Sequence, residues 1–267
     1  MDTQSDLGAD DPADPRDLII RDDQSEFPTL LDEAKACRKK HGRLRVIDSG
    51  RFSSSELEWL GNAGADIATS DRARQDLREF ILIRDAVKKG KALAAYFHHG
   101  PFEDGEKEKA VSFSSLKIMA GSGYDLCVSN RRFNREFSRL EELAFTCSKS
   151  GSRLTYYHHG SIDPALQDLG RRGTWIHIAA ESLDSSDVVR LVRDCAGAAQ
   201  AAGSNIVLHV DGPIEFRYLE EVWAAGARVL FHTPPSDYRS PQRPYEDRAG
   251  RMRLDPRAYY LYPQFMV

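Results

Sequence analysis

The stretches that decide the fold are Gly64–Arg72, GADIATSDR, followed by Leu93–Gly100, LAAYFHHG, and their near copies Gly123–Arg131, GYDLCVSNR, followed by Arg153–Gly160, RLTYYHHG. Each is a short β-branched or aromatic run bounded by Gly or polar residues, as a strand buried on both faces should be. Between the two runs of each copy lies a longer amphipathic segment, Asp76–Lys89 in the first and Phe133–Ser148 in the second. Two weaker copies flank them, Asp17–Gly50 (DLIIRDD…LRVIDSG) and Gly173–Gly212 (GTWIHIAA…NIVLHVDG), and Arg228–His232 (RVLFH) opens a fifth. The unit is β–α–β, and its recurrence predicts an internal duplication in quarter units.

Reading outward from these copies gives nine strand-like runs: Asp17–Asp22, Leu44–Ser49, Asp66–Ser70, Leu93–His99, Asp125–Ser129, Leu154–His159, Thr174–Ala179, Asn205–Asp211 and Arg228–His232. Helix-like stretches at Pro28–Lys40, Ser185–Ala202 and Ile214–Ala225 fill gaps between them. Ser54, and Asp184 or Ser185, are candidate N-caps. Gly64, Gly90, Gly151 and Gly203 stand where helices should stop. Strict alternation predicts a parallel sheet with right-handed crossovers. The expected fold is a (β/α)8 TIM-like barrel carrying one strand too many, with either Asp17–Asp22 or Arg228–His232 outside it or the barrel itself irregular. An open doubly wound parallel sheet is the alternative, and a βα solenoid is the third.

The barrel is expected over residues 16–235, after an acidic N-terminus (1–15) expected to be disordered. The Arg-, Tyr- and Pro-rich tail, residues 236–267, ends in Tyr259, Tyr260, Tyr262 and Phe265. It is too apolar for a polar linker and is expected to dock on the barrel or on a partner, including a second copy of the chain. Across all 267 residues, 37 Lys and Arg oppose 41 Asp and Glu, so the net charge of −4 argues against a nucleic-acid coat or polybasic membrane binder. No apolar run reaches membrane-spanning length, and the N-terminal residues lack the apolar core of a secretory signal. The four cysteines, Cys37, Cys127, Cys147 and Cys195, are widely spaced, which fits reduced, buried thiols and a cytoplasmic protein.

Eight histidines remain to be explained, and most sit at strand ends. Barrel chemistry belongs at the C-terminal ends of strands. These ends read Asp22–Asp23, Asp48–Ser49, Ser70–Asp71, His98–His99, Ser129–Asn130, His158–His159, Glu181, His209–Asp211 and His232. Side chains alternate with period two, so one parity turns His99, His159 and Asp211 inward, with His209 a layer below, and the other turns Asp48, His98 and His158 inward. His99, His159, Asp211 and Asp48 are the catalytic candidates. The first three also form a candidate site for a divalent metal, Zn²⁺, Mn²⁺ or Fe²⁺; a metal-free polar pocket is the other reading. Arg72 and Arg131 recur at equivalent positions, with Arg74 and Arg132 nearby, and suit a substrate anion; His98, His158 and Asn130 are further substrate-binding candidates. His177 and His209 lie inside apolar runs and read as satisfied core histidines, and His41 as a solvated helix-end charge.

Absences narrow the function. No strand end carries a lysine for a Schiff base, and no GxGxxG, GxxxxGK[ST] or GxSxG occurs, so no nucleotide cofactor or nucleophile elbow is expected. The sequence reading is a barrel enzyme acting on a small polar metabolite by metal-assisted or His-mediated acid–base chemistry, hydrolysis ahead of isomerisation or lysis. The alternative is a non-catalytic ligand-binding or scaffold barrel that associates through its aromatic tail.

Overall fold

The computed structural model describes residues 18–103, 111–210 and 215–231. Nine strands alternate with eight α-helices among them: β1 Leu18–Arg21, α1 Phe27–Lys39, β2 Leu44–Ile47, α2 Ser54–Ala63, β3 Asp66–Ser70, α3 Leu77–Lys89, β4 Ala94–His98, α4 Phe113–Ser122, β5 Asp125–Ser129, α5 Phe137–Ser150, β6 Leu154–His158, α6 Ala165–Arg171, β7 Trp175–Ala179, α7 Ser186–Ala201, β8 Ile206–Val210, α8 Phe216–Ala224 and β9 Arg228–Phe231. The strands form one sheet in chain order, β1 to β9. Parallel registers run from Leu18↔Leu44 between β1 and β2 to Val207↔Arg228 between β8 and β9. This is an α/β fold of the (β/α)-barrel type. A doubly wound sheet would reverse its strand order at a switch point, and no reversal occurs here. Both segments left open by the sequence, Leu18–Arg21 and Arg228–Phe231, pair in the sheet.

The described residues fall into two compact units, one running to Cys127 with Ser150–Ser152, the other comprising Val128–Lys149 and the described residues from Arg153 onward. In the first, Leu57 and Leu60 of α2, Phe80 and Ile83 of α3, and Leu116 and Met119 of α4 are buried at corresponding phases of their helices. Burial of such side chains stabilises by about 1.5–3 kcal/mol each. Helices α2 and α3 meet closely: a Cβ on Gly90 would lie 1.9 Å from the Gly61 carbonyl oxygen. Gly90 itself has φ −71°, so its expected role as a left-handed helix stop is replaced by this close approach. Gly64 and Gly123 do end α2 and α4 in the left-handed region, at φ +103° and +105°, where side chains are disfavoured.

The starts of α2 and α5 shift from their expected positions, and that of α7 is kept. The N-cap of α2 is Ser53 rather than Ser54, because only Ser53 makes the reciprocal box with Glu56, Glu56 N–H to Ser53 Oγ at 3.3 Å and Ser53 N–H to the Glu56 carboxylate at 2.8 Å. Ser185 caps α7, taking the Val188 N–H at 3.4 Å. Helix α5 begins at Phe137 and not at Phe133. Arg135 in the preceding loop is buried, and its Nε donates to the Ser129 carbonyl at 2.8 Å.

The face of each strand can be read from ring contacts. In the first unit Tyr96 packs on Phe80 of α3 (5.0 Å) and stacks with His98 (6.3 Å), so this parity of β4 faces the helices. Phe97 and His99, 6.2 Å apart, occupy the opposite face. In the second unit Tyr156 lies 6.5 Å from Phe137 of α5 and 5.7 Å from His158, which leaves Tyr157 and His159 turned from the helices. All four cysteines are buried, and burial pushes the Cys195 thiol up to about 12. Among the described residues no helix is long and apolar enough to cross a membrane. The N-terminal segment 1–15, the tail 236–267, and Asp211, Ile214 and His232 lie outside the described residues.

Candidate active site at the strand ends

A recurring polar clamp ties the ends of β1, β3 and β5 to the strand end that follows each. Asp22, fully buried after β1, accepts the Ser49 N–H (2.9 Å), the Ser49 hydroxyl and the Phe52 N–H (3.4 Å). Asp71, after β3, accepts the His99 N–H at 2.9 Å and the Gly100 N–H at 2.7 Å through one oxygen. Asn130, after β5, accepts the His159 N–H at 2.7 Å and returns a bond from its own amide to the His159 carbonyl at 2.9 Å. The fourth position in this series is Ala180, which can make no such bond. These clamps satisfy backbone groups that the strand ladder leaves over. The signal for them was present in the sequence as the shared offset of Asp22, Asp71 and Asn130. Asn130 therefore serves the backbone of the neighbouring strand end.

The two HHG ends share a second device. His98 Nε2 donates to the Pro101 carbonyl at 3.0 Å and His158 Nε2 to the Ser161 carbonyl at 2.8 Å. Both rings are buried on the helix side, so they pin the turn that follows each strand. His98 also approaches Asp71 (Nδ1 to Oδ2, 3.3 Å) and stacks on Phe102; His158 Nδ1 lies 3.4 Å from the Tyr156 hydroxyl. The parity that turns His99 and His159 away from the helices is thus the one adopted.

His159 is the chemically distinct member of the set. It is half-buried, and its Nε2 is buried with no hydrogen-bond partner among the described residues. Burial holds its proton affinity below the ordinary imidazole range, and the neighbouring Arg131 and His158 lower it further. The ring is therefore neutral at pH 7, with one nitrogen lone pair available. His158 is lowered as well, by burial, against the opposing effect of its bond to the Ser161 carbonyl.

Both shifts have one sign. The folded chain binds these protons less tightly than the unfolded chain, so their stabilisation is complete above the unfolded value of about 6.5 and is lost as pH falls through the lower folded values. Thermal melts should accordingly show Tm falling from about pH 7 to about pH 5, with a shallower fall in His159→Gln. Equal slopes in the two proteins would contradict the assignment.

Asp48, a catalytic candidate, lies on the helix side in a buried ion pair. Arg74 Nε and Nη2 reach its two oxygens at 2.7 and 3.2 Å, the Thr69 hydroxyl donates at 2.7 Å and the Gly50 N–H at 2.9 Å. Arg74 also donates to the Phe52 carbonyl. The pair holds β2, β3 and the loop before α3 together. Arg72 and Arg131 are exposed at equivalent positions, and the Arg131 N–H donates to Ser129 Oγ at 3.1 Å.

His99 belongs to the first unit and His159 to the second. Among the described residues no group of three or more His, Cys, Asp or Glu could hold a metal ion, and Asp211, the third member of the expected set, lies outside them. A cluster that the sequence reading left in the core is formed by His177 and His209. Their Nδ1 and Nε2 lie 2.6 Å apart, with both rings buried. The Tyr157 ring packs 4.5 Å from His177, its register partner on β6. One imidazole must donate and the other accept.

No protein-family model matches the chain, and no curated protein matches it in sequence. Among solved structures, similarity is found to a mandelate racemase/muconate lactonizing protein from Herpetosiphon aurantiacus, 13% identical, covering 80% of this chain and 53% of that one at a TM-score of 0.39. The chain thus spans about half the length of that protein. A 3-dehydroquinate dehydratase from Aquifex aeolicus is 11% identical over 80% of this chain and 86% of its own, with a TM-score of 0.36. A phospho-2-dehydro-3-deoxyheptonate aldolase from Thermotoga maritima is 16% identical over 80% and 71%, with a TM-score of 0.34. The fold assignment rests on this chain's own strand order and pairing.

Proposed function

We propose that the chain is an enzyme acting on a small polar metabolite by histidine-mediated acid–base chemistry, with His159 as the proton carrier. The observation that carries this reading is the unpartnered, buried Nε2 of a neutral, half-buried imidazole at a strand C-terminus. By contrast, His98 and His158 each commit Nε2 to a carbonyl of the turn that follows their strand. A proton carrier at neutral pH needs an unbonded nitrogen and a proton affinity near or below ambient pH. Arg131, exposed beside it, supplies positive charge for an anionic substrate group. Hydrolysis is the favoured reaction, because a base-activated water requires no nucleotide cofactor. The metal-assisted version of this chemistry requires His99, His159 and Asp211 to meet at one ion.

The test is turnover of a small-metabolite panel, read by mass spectrometry, for the full chain and for His159→Gln. Loss of about 10²–10⁴-fold in turnover at unchanged Tm is the expected result, the range for removing one general acid or base. Full turnover by His159→Gln overturns the reading. Activity that disappears in chelator and returns with added divalent ion would assign the metal version instead.

A further inference from the structure

We infer that Asn130 is a positioning residue for His159, and that its amide, rather than a carboxylate, is what this position requires. The inference rests on the proposed role of His159 for its consequence in turnover, though not for its structural content. The three strand-end clamps differ in one respect. Asp22 and Asp71 only accept, each taking backbone N–H groups of the following strand end. Asn130 takes the His159 N–H and donates to the His159 carbonyl, so both polar groups of one residue's backbone are tied to one side chain.

Only an amide of this length can do both. An ionised carboxylate has no donor, and in place of the amide nitrogen it would set a second oxygen against the His159 carbonyl. Gln would carry the same groups one methylene too far. Fixing the His159 N–H and carbonyl together restrains rotation on both sides of its Cα, from which the imidazole projects. The next residue, Gly160, is left-handed at φ +96° and a Cβ there would meet nothing within 4 Å, so packing at Gly160 does not hold the turn. The clamp does. The copy carrying His99 has the acceptor half alone.

The experiment is NMR of the full chain with isotopically labelled histidine, assigned through His159→Gln. In the wild type, the His159 amide lies just beyond the end of β6, and the clamp predicts slow hydrogen exchange for it. Asn130→Asp should keep the overall melt while broadening or splitting the His159 ring signals and leaving those of His98 and His99 in place. Asp71→Asn should leave His159 unchanged. Once a substrate is found, Asn130→Asp should lower kcat by about 10²-fold with little change in KM, the size expected for an angstrom-scale misplacement. Sharp, unmoved His159 signals in Asn130→Asp overturn the inference. If that variant does not fold, fast exchange of the wild-type His159 amide does so instead. Turnover that survives His159→Gln while the exchange and ring signals behave as described defeats the proposed function and leaves the clamp standing.

Discussion

Asp48→Ala should lower Tm by roughly 6–20 °C, the product of about 3–5 kcal/mol for breaking a buried ion pair and about 2–4 °C per kcal/mol in a chain of this size. The size of the effect comes from what is left behind. The Arg74 side chain is only 6% exposed and the Asp48 side chain 0%, so removing the carboxylate leaves a buried guanidinium with only the half-buried Glu79, 3.3 Å away, and the Phe52 carbonyl to offset its charge. The Thr69 hydroxyl and the Gly50 N–H lose their acceptor at the same time. Asp48→Asn retains an acceptor and should fall between wild type and Asp48→Ala. Arg74→Met with Asp48→Leu, which removes both charges, should recover much of the loss. The result also decides the role of Asp48: a general base would lose turnover at constant Tm. A change in Tm of less than about 2 °C, equivalent to less than 1 kcal/mol, would sink the structural assignment.

The second large effect is expected at the bridged imidazoles. His177→Ala should cost about 2–5 kcal/mol, combining a cavity with the loss of the 2.6 Å contact to His209 Nε2. The informative measurement is the double-mutant cycle His177→Phe, His209→Leu and both together, read by denaturant unfolding. Each single change removes one side of the 2.6 Å contact and leaves the other imidazole in place, whereas the pair removes both imidazoles and keeps an aromatic ring at position 177 against Tyr157. The double variant should therefore be less destabilised than the sum of the singles, with a coupling of about 0.5–3 kcal/mol, the range for contacting residues. Strict additivity would mean that the 2.6 Å contact does not bind the two rings to each other.

The architecture was legible because strand and helix alternate with different periods, and because glycines such as Gly64 and Gly203 stop helices where left-handed backbone is needed. The parity of the strand ends was not. In β4 and β6 every residue is buried, so no alternation of polar and apolar positions marks which side faces the helices. The contacts of Tyr96 with Phe80, and of Tyr156 with Phe137, settle what pattern alone left open. Charge misled in a related way. Arg74 reads as a substrate clamp from its neighbours in sequence, whereas its partner Asp48 follows the end of β2, distant in sequence, and both are buried. The serine run Ser53-Ser54-Ser55 offers three plausible caps, and only the reach of Glu56 selects the first. His159 was legible as a candidate, but its unbonded nitrogen was not, since that depends on which groups three-dimensional packing brings near it.

The chain-order sheet has a consequence for how the molecule forms and changes. Every strand pairs with a neighbour one helical crossover away in sequence, so each pairing closes a loop of similar, modest length. Assembly can proceed by accretion of successive units rather than by a search for distant partners, which keeps the sequence separation of contacts low for a parallel sheet. The same wiring separates the strand-end turns from the register of the sheet. Doubling the length of a flexible turn costs only about 0.6 kcal/mol of closure entropy, so residues beyond His99 and His159 can be exchanged or extended while the strands beneath them stay in step.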